Sequence, residues 1–127
     1  MKILHLDHIV LPVRSVADSV AFYEGVLGLA SARFGEGLTA LVVGEQRISL
    51  REAGRGDLGA KAPTAGSAEF CFVVRDLDAV TQRLNTAGVE VEKGPVRRNG
   101  TLGPLLSLYV RDPDGNLVEL AEYEDPQ

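Results

Sequence analysis

RDPDGNLVEL, residues 111–120, begins as a polar turn and ends as an apolar strand that carries one acid. Pro113 fixes its backbone φ, the side chains of Asp112 and Asp114 accept from nearby backbone N–H groups, and Gly115 tolerates a positive φ. The stretch therefore predicts a hairpin turn followed by a strand.

Glu119 is the acid of that strand. Side chains alternate between the two faces of a strand, so Glu119 is expected on the same face as Leu117 and Ala121. Taken alone, this pattern is satisfied by a solvated carboxylate, because antiparallel sheets commonly turn polar residues outward.

The predicted elements occur twice in the same order, β-α-β-β-β. Each copy has a helix that begins after a capping residue, Ser15 or Asp76, and ends before a glycine, Gly28 or Gly88. In the second copy a turn is predicted at Asn99 and Gly100. The expected modules cover about residues 1–53 and about residues 67–124, joined by a Gly, Pro, Ser and Ala-rich linker at 54–66.

This order predicts an α+β fold in which two βαβββ modules form a curved mixed β-sheet with the helices outside. A chain of 127 residues fits a single domain. No apolar run is long enough to span a bilayer, and one cysteine, Cys71, fits a reducing compartment, so a cytoplasmic location is expected. Cys71 itself is expected to be a small buried hydrophobe. The net charge of −5 argues against nucleic acid and favours a small molecule as partner.

Three polar residues occupy strand positions opposite the expected helix-facing positions: His8, Glu69 and Glu119. If the strands of both copies curl into one sheet, these side chains converge on its concave face. An imidazole and two carboxylates are ligands for a first-row divalent ion such as Zn²⁺, Ni²⁺, Mn²⁺ or Fe²⁺.

The chain resembles the vicinal oxygen chelate superfamily, which includes glyoxalase I, extradiol dioxygenases, fosfomycin-resistance enzymes and bleomycin-binding proteins. The resemblance rests on LDHIVLPVRSVADSVAFYEGVLGL, GSAEFCFVV and RDPDGNLVELAEY, which together extend over nearly the whole chain. The second half is most similar to the glyoxalase-domain-containing group with members described as virulence-associated.

The resemblance implies metal ligation by His8 and Glu119. The second metal histidine of the family falls on Glu69, and the glutamate that serves glyoxalase I as ligand and base falls on Ser49. The expected function is therefore a metal-dependent, glyoxalase-like lyase or isomerase (lactoylglutathione-lyase-like) acting on a small oxygen-chelating substrate. Glu119 and Glu69 are the candidate catalytic acids.

Two alternatives stay open: a metal-free protein that sequesters an antibiotic or aromatic compound, and an extradiol-type dioxygenase, which Glu69 disfavours. Strand parity adds candidate substrate contacts at Arg47, Ser49, Ser107 and Tyr109. For Arg97 and Arg98, near the Asn99–Gly100 turn, solvent exposure is the first expectation and contact with an anionic substrate is the alternative. Family chains of this length usually pair, so a homodimer is expected.

Overall fold

Each half of the chain builds its own four-stranded mixed sheet. A computed structural model describes residues 1–2, 7–34, 38–53, 64–100 and 102–125. Contacts divide the chain into two units, Met1–Ser67 and Ala68–Gln127. Residues 54–63 of the predicted linker lie outside the described residues, and the union of both modules into one domain stays a prediction.

In the first unit the strand order is β1-β4-β3-β2, with β1 parallel to β4 and the other pairs antiparallel. Its elements are β1 (His8–Val13), α1 (Val16–Val20), a π-helix (Ala21–Val26), β2 (Ala30–Phe34), β3 (Leu38–Val43) and β4 (Gln46–Glu52). Leu11, Val13, Leu41 and Leu50 are buried in its core.

The second unit repeats this plan with the order β5-β8-β7-β6, and β5 is parallel to β8. Its elements are β5 (Glu69–Val73), α2 (Leu77–Thr86), β6 (Lys93–Gly100), β7 (Gly103–Arg111) and β8 (Leu117–Tyr123). Leu84, Leu108, Val110, Val118 and Leu120 are buried. The predicted α+β class and the twofold β-α-β-β-β order are confirmed, with one sheet formed by each module.

The turn between β7 and β8 is held by hydrogen bonds to the Asp112 carboxylate. Oδ1 of Asp112 accepts from the backbone N–H groups of Asp114 and Asn116, both at 2.9 Å, and Oδ2 accepts from the Asn116 side-chain amide at 2.8 Å. Oδ1 of Asn116 then accepts from the N–H of Ala68 at 3.0 Å. The turn therefore closes the β7–β8 hairpin and also fixes the residue that precedes β5.

Both predicted helix caps are confirmed. The Ser15 hydroxyl accepts from the N–H of Asp18 at 3.1 Å, and Asp76 accepts from the N–H of Ala79 at 3.1 Å. Glu122 of β8 adds a second acceptor at the start of α2, because its carboxylate accepts from the N–H groups of Asp76 at 2.8 Å and Leu77 at 3.2 Å.

The first helix differs from the single α-helix that the periodicity predicts. After α1 the chain widens into a π-helical turn, in which the N–H of Leu27 bonds the carbonyl of Phe22, five residues earlier, at 3.1 Å. Phe22 and Tyr23 are both buried and pack edge to face with ring centroids 5.2 Å apart. The wider turn accommodates two consecutive aromatic side chains in the core.

The turn predicted at Asn99 and Gly100 is wrong. Both residues belong to β6, where they pair with Pro104 and Gly103 of β7, so the chain reverses only after Gly100. No described helix has the length and apolarity that crossing a membrane requires.

Candidate functional site

His8 opens β1 and is oriented by its neighbour in sequence. Its Nδ1 lies 2.7 Å from Oδ2 of Asp7, and the side chains are 38% and 78% exposed. Because an ionised carboxylate only accepts, the geometry assigns the proton to Nδ1 and leaves the Nε2 lone pair available. Metal-binding histidines commonly donate the N–H of their second ring nitrogen to a carboxylate in this way. Asp7 was not among the predicted site residues, although an Asp-His pair at the start of a strand is visible in the sequence.

Arg47 and Ser49 lie on β4 beside β1. In the parallel register Arg47 is opposite His8 and Ser49 is opposite Val10, so the two predicted substrate contacts share the strand face of His8. Both residues are half-buried. An open pocket of about 340 Å³ lies at this end of the sheet, lined by Asp7, Val42, Gly44, Glu45, Gln46 and Arg47.

Glu119 lies in the middle of β8, and its carboxylate is held by β7. The hydroxyl of Ser107, which is fully buried, donates to Oε2 of Glu119 at 2.6 Å. Oε1 has no hydrogen-bond partner among the described residues. The strand carboxylate is therefore fixed through one oxygen rather than simply solvated. This contact supports a positioning role for Ser107, and its predicted contact with a substrate stays a prediction.

Glu69 and Cys71 lie on β5 on the same face as Glu119. The parallel register places Cys71 directly opposite Glu119, and Glu69 one step earlier, opposite Leu117. Burial, followed by the negative charge of Glu119, raises the pKa of the Cys71 thiol from 9.0 to about 11. Cys71 is nevertheless exposed, so the expectation of a buried cysteine is wrong.

Tyr109 is opposite Glu119 on β7. Its hydroxyl accepts from Nε of Arg98 on β6 at 3.0 Å, and the Arg98 guanidinium carbon lies 5.7 Å from the ring centroid. The face of the second sheet thus presents two acids, a fixed serine hydroxyl, a tyrosine and an arginine.

No group of three or more His, Cys, Asp or Glu side chains is arranged as a ready metal site within the described parts of the chain. Of the predicted ligands, His8 belongs to the first unit, whereas Glu69 and Glu119 belong to the second. The three-ligand assignment therefore stays a prediction.

Comparison with known proteins identifies the family. A model of the Glyoxalase/Bleomycin resistance protein/Dioxygenase superfamily matches residues 5–120, and the chain belongs to this superfamily. It is 41% identical over 127 residues to glyoxalase domain-containing protein RDO1 of Mycosarcoma maydis, an alignment that covers 98% of this chain and 72% of that protein.

Virulence protein STM3117 of Salmonella typhimurium is 38% identical over 125 residues, covering 97% of this chain and 87% of that protein. Its crystal structure superposes with a TM-score of 0.92, covering 97% of this chain and 99% of that one. A lactoylglutathione lyase from Agrobacterium tumefaciens is more distant, with 27% identity, a TM-score of 0.71 and coverage of 93% of this chain and 92% of that one. The predicted superfamily and the resemblance to virulence-associated members are confirmed.

Proposed function

We propose that the protein is a divalent-metal-dependent lyase or isomerase of the glyoxalase type, acting on a small substrate with two neighbouring oxygens. The proposal depends on one observation: two of the predicted ligands, His8 and Glu119, are each oriented by a second polar group. Asp7 holds Nδ1 of His8, and Ser107 holds Oε2 of Glu119. Each bond leaves one ligating atom, Nε2 or Oε1, without a partner among the described residues.

The donor set fits the family's metal. One imidazole nitrogen and carboxylate oxygens suit Zn²⁺, Ni²⁺, Mn²⁺ or Fe²⁺, and ligating groups are themselves hydrogen-bonded in most such sites. We assign His8, Glu69 and Glu119 as the ligands. When bound, the ion would polarise both substrate oxygens and stabilise negative charge as a proton leaves the adjacent carbon.

The two acids differ in their surroundings, and this difference separates their roles. Glu119 is fixed by Ser107 and would remain in place as a ligand. Glu69 is exposed and has no described hydrogen-bond partner, so its carboxylate is able to move and to carry a proton between adjacent carbons. Ser49, at the position of the glyoxalase I base, has no acid to offer, which leaves proton transfer to Glu69.

Arg47, Ser49 and Tyr109 would contact the rest of the substrate. Arg47 and Ser49 share a strand face with His8, and Tyr109 lies opposite Glu119. A homodimer belongs to the same proposal and is testable by sedimentation at working protein concentration.

The test uses protein loaded with each of the four metals and the thiohemiacetal of a small 2-oxoaldehyde. Proton NMR in D₂O follows exchange at the α-carbon and formation of the thioester. We expect metal-dependent exchange that falls by about a hundredfold or more in Glu69→Gln, the low end of a general base contribution. Glu90→Gln, which removes an exposed charge of the same unit, is the matched control. Exchange that continues unchanged in Glu69→Gln would contradict its role, whereas tight binding without any exchange would favour a sequestering protein.

A further inference from the structure

Three arginines of the β6–β7 hairpin have different partners. Arg97 forms a two-point ion pair with Glu124, with nitrogen–oxygen distances of 2.8 and 3.2 Å. Arg111 pairs with Glu92 at 2.9 Å. Arg98 pairs with no carboxylate among the described residues, so its positive charge is not neutralised by a neighbour in this unit.

Neutral groups nevertheless hold Arg98 in a defined orientation. Its Nε donates to the Tyr109 hydroxyl at 3.0 Å, and its Nη1 donates to the carbonyl of Arg97 at 3.3 Å. The guanidinium also lies against the Tyr109 ring, 5.7 Å from its centroid, within the range of cation–π attraction. A guanidinium held by neutral partners has lost part of its rotamer freedom and keeps its full charge, which are the conditions for binding an anion.

Strand register places Arg98 on the face that carries Glu119. Arg98 is opposite Leu105 of β7, and Ser107 and Tyr109 lie two and four residues further along the same face of that strand, as alternation dictates. Ser107 reaches across to Glu119 on β8, and Tyr109 receives Arg98 from β6. Neighbouring strands are about 5 Å apart, so two strand spacings, roughly 10 Å, separate β6 from β8.

We propose that Arg98, oriented by Tyr109, binds an oxyanionic group of the substrate, a carboxylate or a phosphate. The inference rests on the proposed function, because this anion is the part of the substrate that lies away from the two chelating oxygens. The Tyr109 hydroxyl accepts from Arg98, so its own hydrogen is available to donate to the same anion. The substrate class is then a small acid whose anionic group is separate from its two reacting oxygens.

The net charge of the protein supports this assignment. With a net charge of −5, the molecule as a whole repels anions, so retention of an anion requires a local cation. Arg97 carries the same charge one residue away, but it pairs with Leu106, on the opposite strand face, and is neutralised by Glu124. It is therefore the matched control for Arg98.

The binding test needs no metal and no knowledge of the full substrate. Full-length protein labelled with ¹⁵N, in buffer containing EDTA, is titrated with acetate, with inorganic phosphate and with neutral acetamide. We expect either anion to shift the Arg98 Nε–H resonance and acetamide to leave it unchanged. The better of the two anions identifies the substrate group as carboxylate or phosphate.

Arg98→Gln should weaken binding of the preferred anion roughly tenfold to a hundredfold, as expected when a charge-assisted hydrogen bond is removed. Arg97→Gln should bind it with unchanged affinity. Arg98→Lys keeps the charge but loses the planar fork, so an intermediate affinity is expected.

Equal anion affinity in wild type and Arg98→Gln overturns the inference, and so does acetamide binding as strong as acetate binding. Metal binding is measured separately on the same proteins with Zn²⁺. If Arg98→Gln still binds Zn²⁺ normally while anion binding is lost, the anion site stands on its own. If wild type binds Zn²⁺ but no anion, the inference fails while the proposed metal function survives.

Discussion

Asp112 offers the sharpest test of how the fold is held, because one buried side chain satisfies three donors. Its two oxygens accept from the backbone N–H groups of Asp114 and Asn116 and from the Asn116 amide, at 2.8 to 2.9 Å. Asp112→Ala would leave these donors, in residues with at most 5% exposure, without their acceptor. Each buried donor left without its charged partner lowers the free energy of unfolding by about 1–3 kcal/mol. Because the turn relaxes, the three losses are less than additive, and we expect a total loss of roughly 3–5 kcal/mol.

That loss is a large fraction of the roughly 5–15 kcal/mol by which a typical domain is stable. It corresponds to a fall in melting temperature of roughly 10–20 °C for a chain of this size. Asp112→Asn keeps one carbonyl oxygen for the two backbone donors but sets an amide donor against the Asn116 amide, so it should cost less, about 1–2 kcal/mol. Urea unfolding followed by circular dichroism measures all three proteins, with Glu90→Ala as an exposed control.

Amide hydrogen exchange tests whether the loss of Asp112 loosens the turn and its contact with Ala68. Asn116 bonds the N–H of Ala68, so Asp112→Ala should also accelerate exchange at Ala68. Unfolding of Asp112→Ala at the same urea concentration as Glu90→Ala, or lower stability of Asp112→Asn than of Asp112→Ala, would refute this role of Asp112.

Three further predictions concern single side chains. Ser19 is fully buried and its hydroxyl has no partner among the described residues, so Ser19→Ala should leave the urea midpoint unchanged or raise it, and a loss above about 1 kcal/mol would contradict this. Glu122 accepts from the first two N–H groups at the start of α2, so Glu122→Ala should lower stability by about 1–2 kcal/mol in the same assay, and an unchanged midpoint would remove its capping role. The Cys71 thiol, with its pKa raised to about 11, should react slowly with a disulfide reagent at neutral pH and faster as pH rises toward that value. Glu119→Gln removes one of the two causes of the raised pKa and should move the pH–rate profile of the thiol to lower pH. An unmoved profile would leave burial as the sole cause.

The sequence predicted those features that depend on local chemistry. The turn around Asp112, the caps at Ser15 and Asp76 and the repeated element order all follow from residue types at short spacing, and the structure confirms them. Alternation likewise placed Glu69 and Glu119 opposite the helix-facing positions of their strands, and the parallel register of β5 and β8 puts both on one face of the second sheet.

Other features depend on packing between residues that are distant in sequence. The π-helical turn carries two buried aromatic side chains, Phe22 and Tyr23, and helical periodicity in the sequence does not indicate the wider turn. The hydrogen bonds from Ser107 to Glu119 and from Arg98 to Tyr109 join different strands. They could not be predicted from the sequence, because the register between those strands was not known.

The central claim is that His8 and Glu119 bind a divalent metal, and metal analysis tests it most directly. Protein purified without chelator would be assayed for Zn, Ni, Mn and Fe by mass spectrometry and then titrated with Zn²⁺ by calorimetry, with His8→Ala, Glu119→Gln and the control Glu90→Gln beside it. We expect about one divalent ion per chain in the wild type and in Glu90→Gln, and loss of that ion in both ligand variants. Wild-type protein that binds no divalent ion, or ligand variants that retain it with unchanged affinity, would contradict the claim.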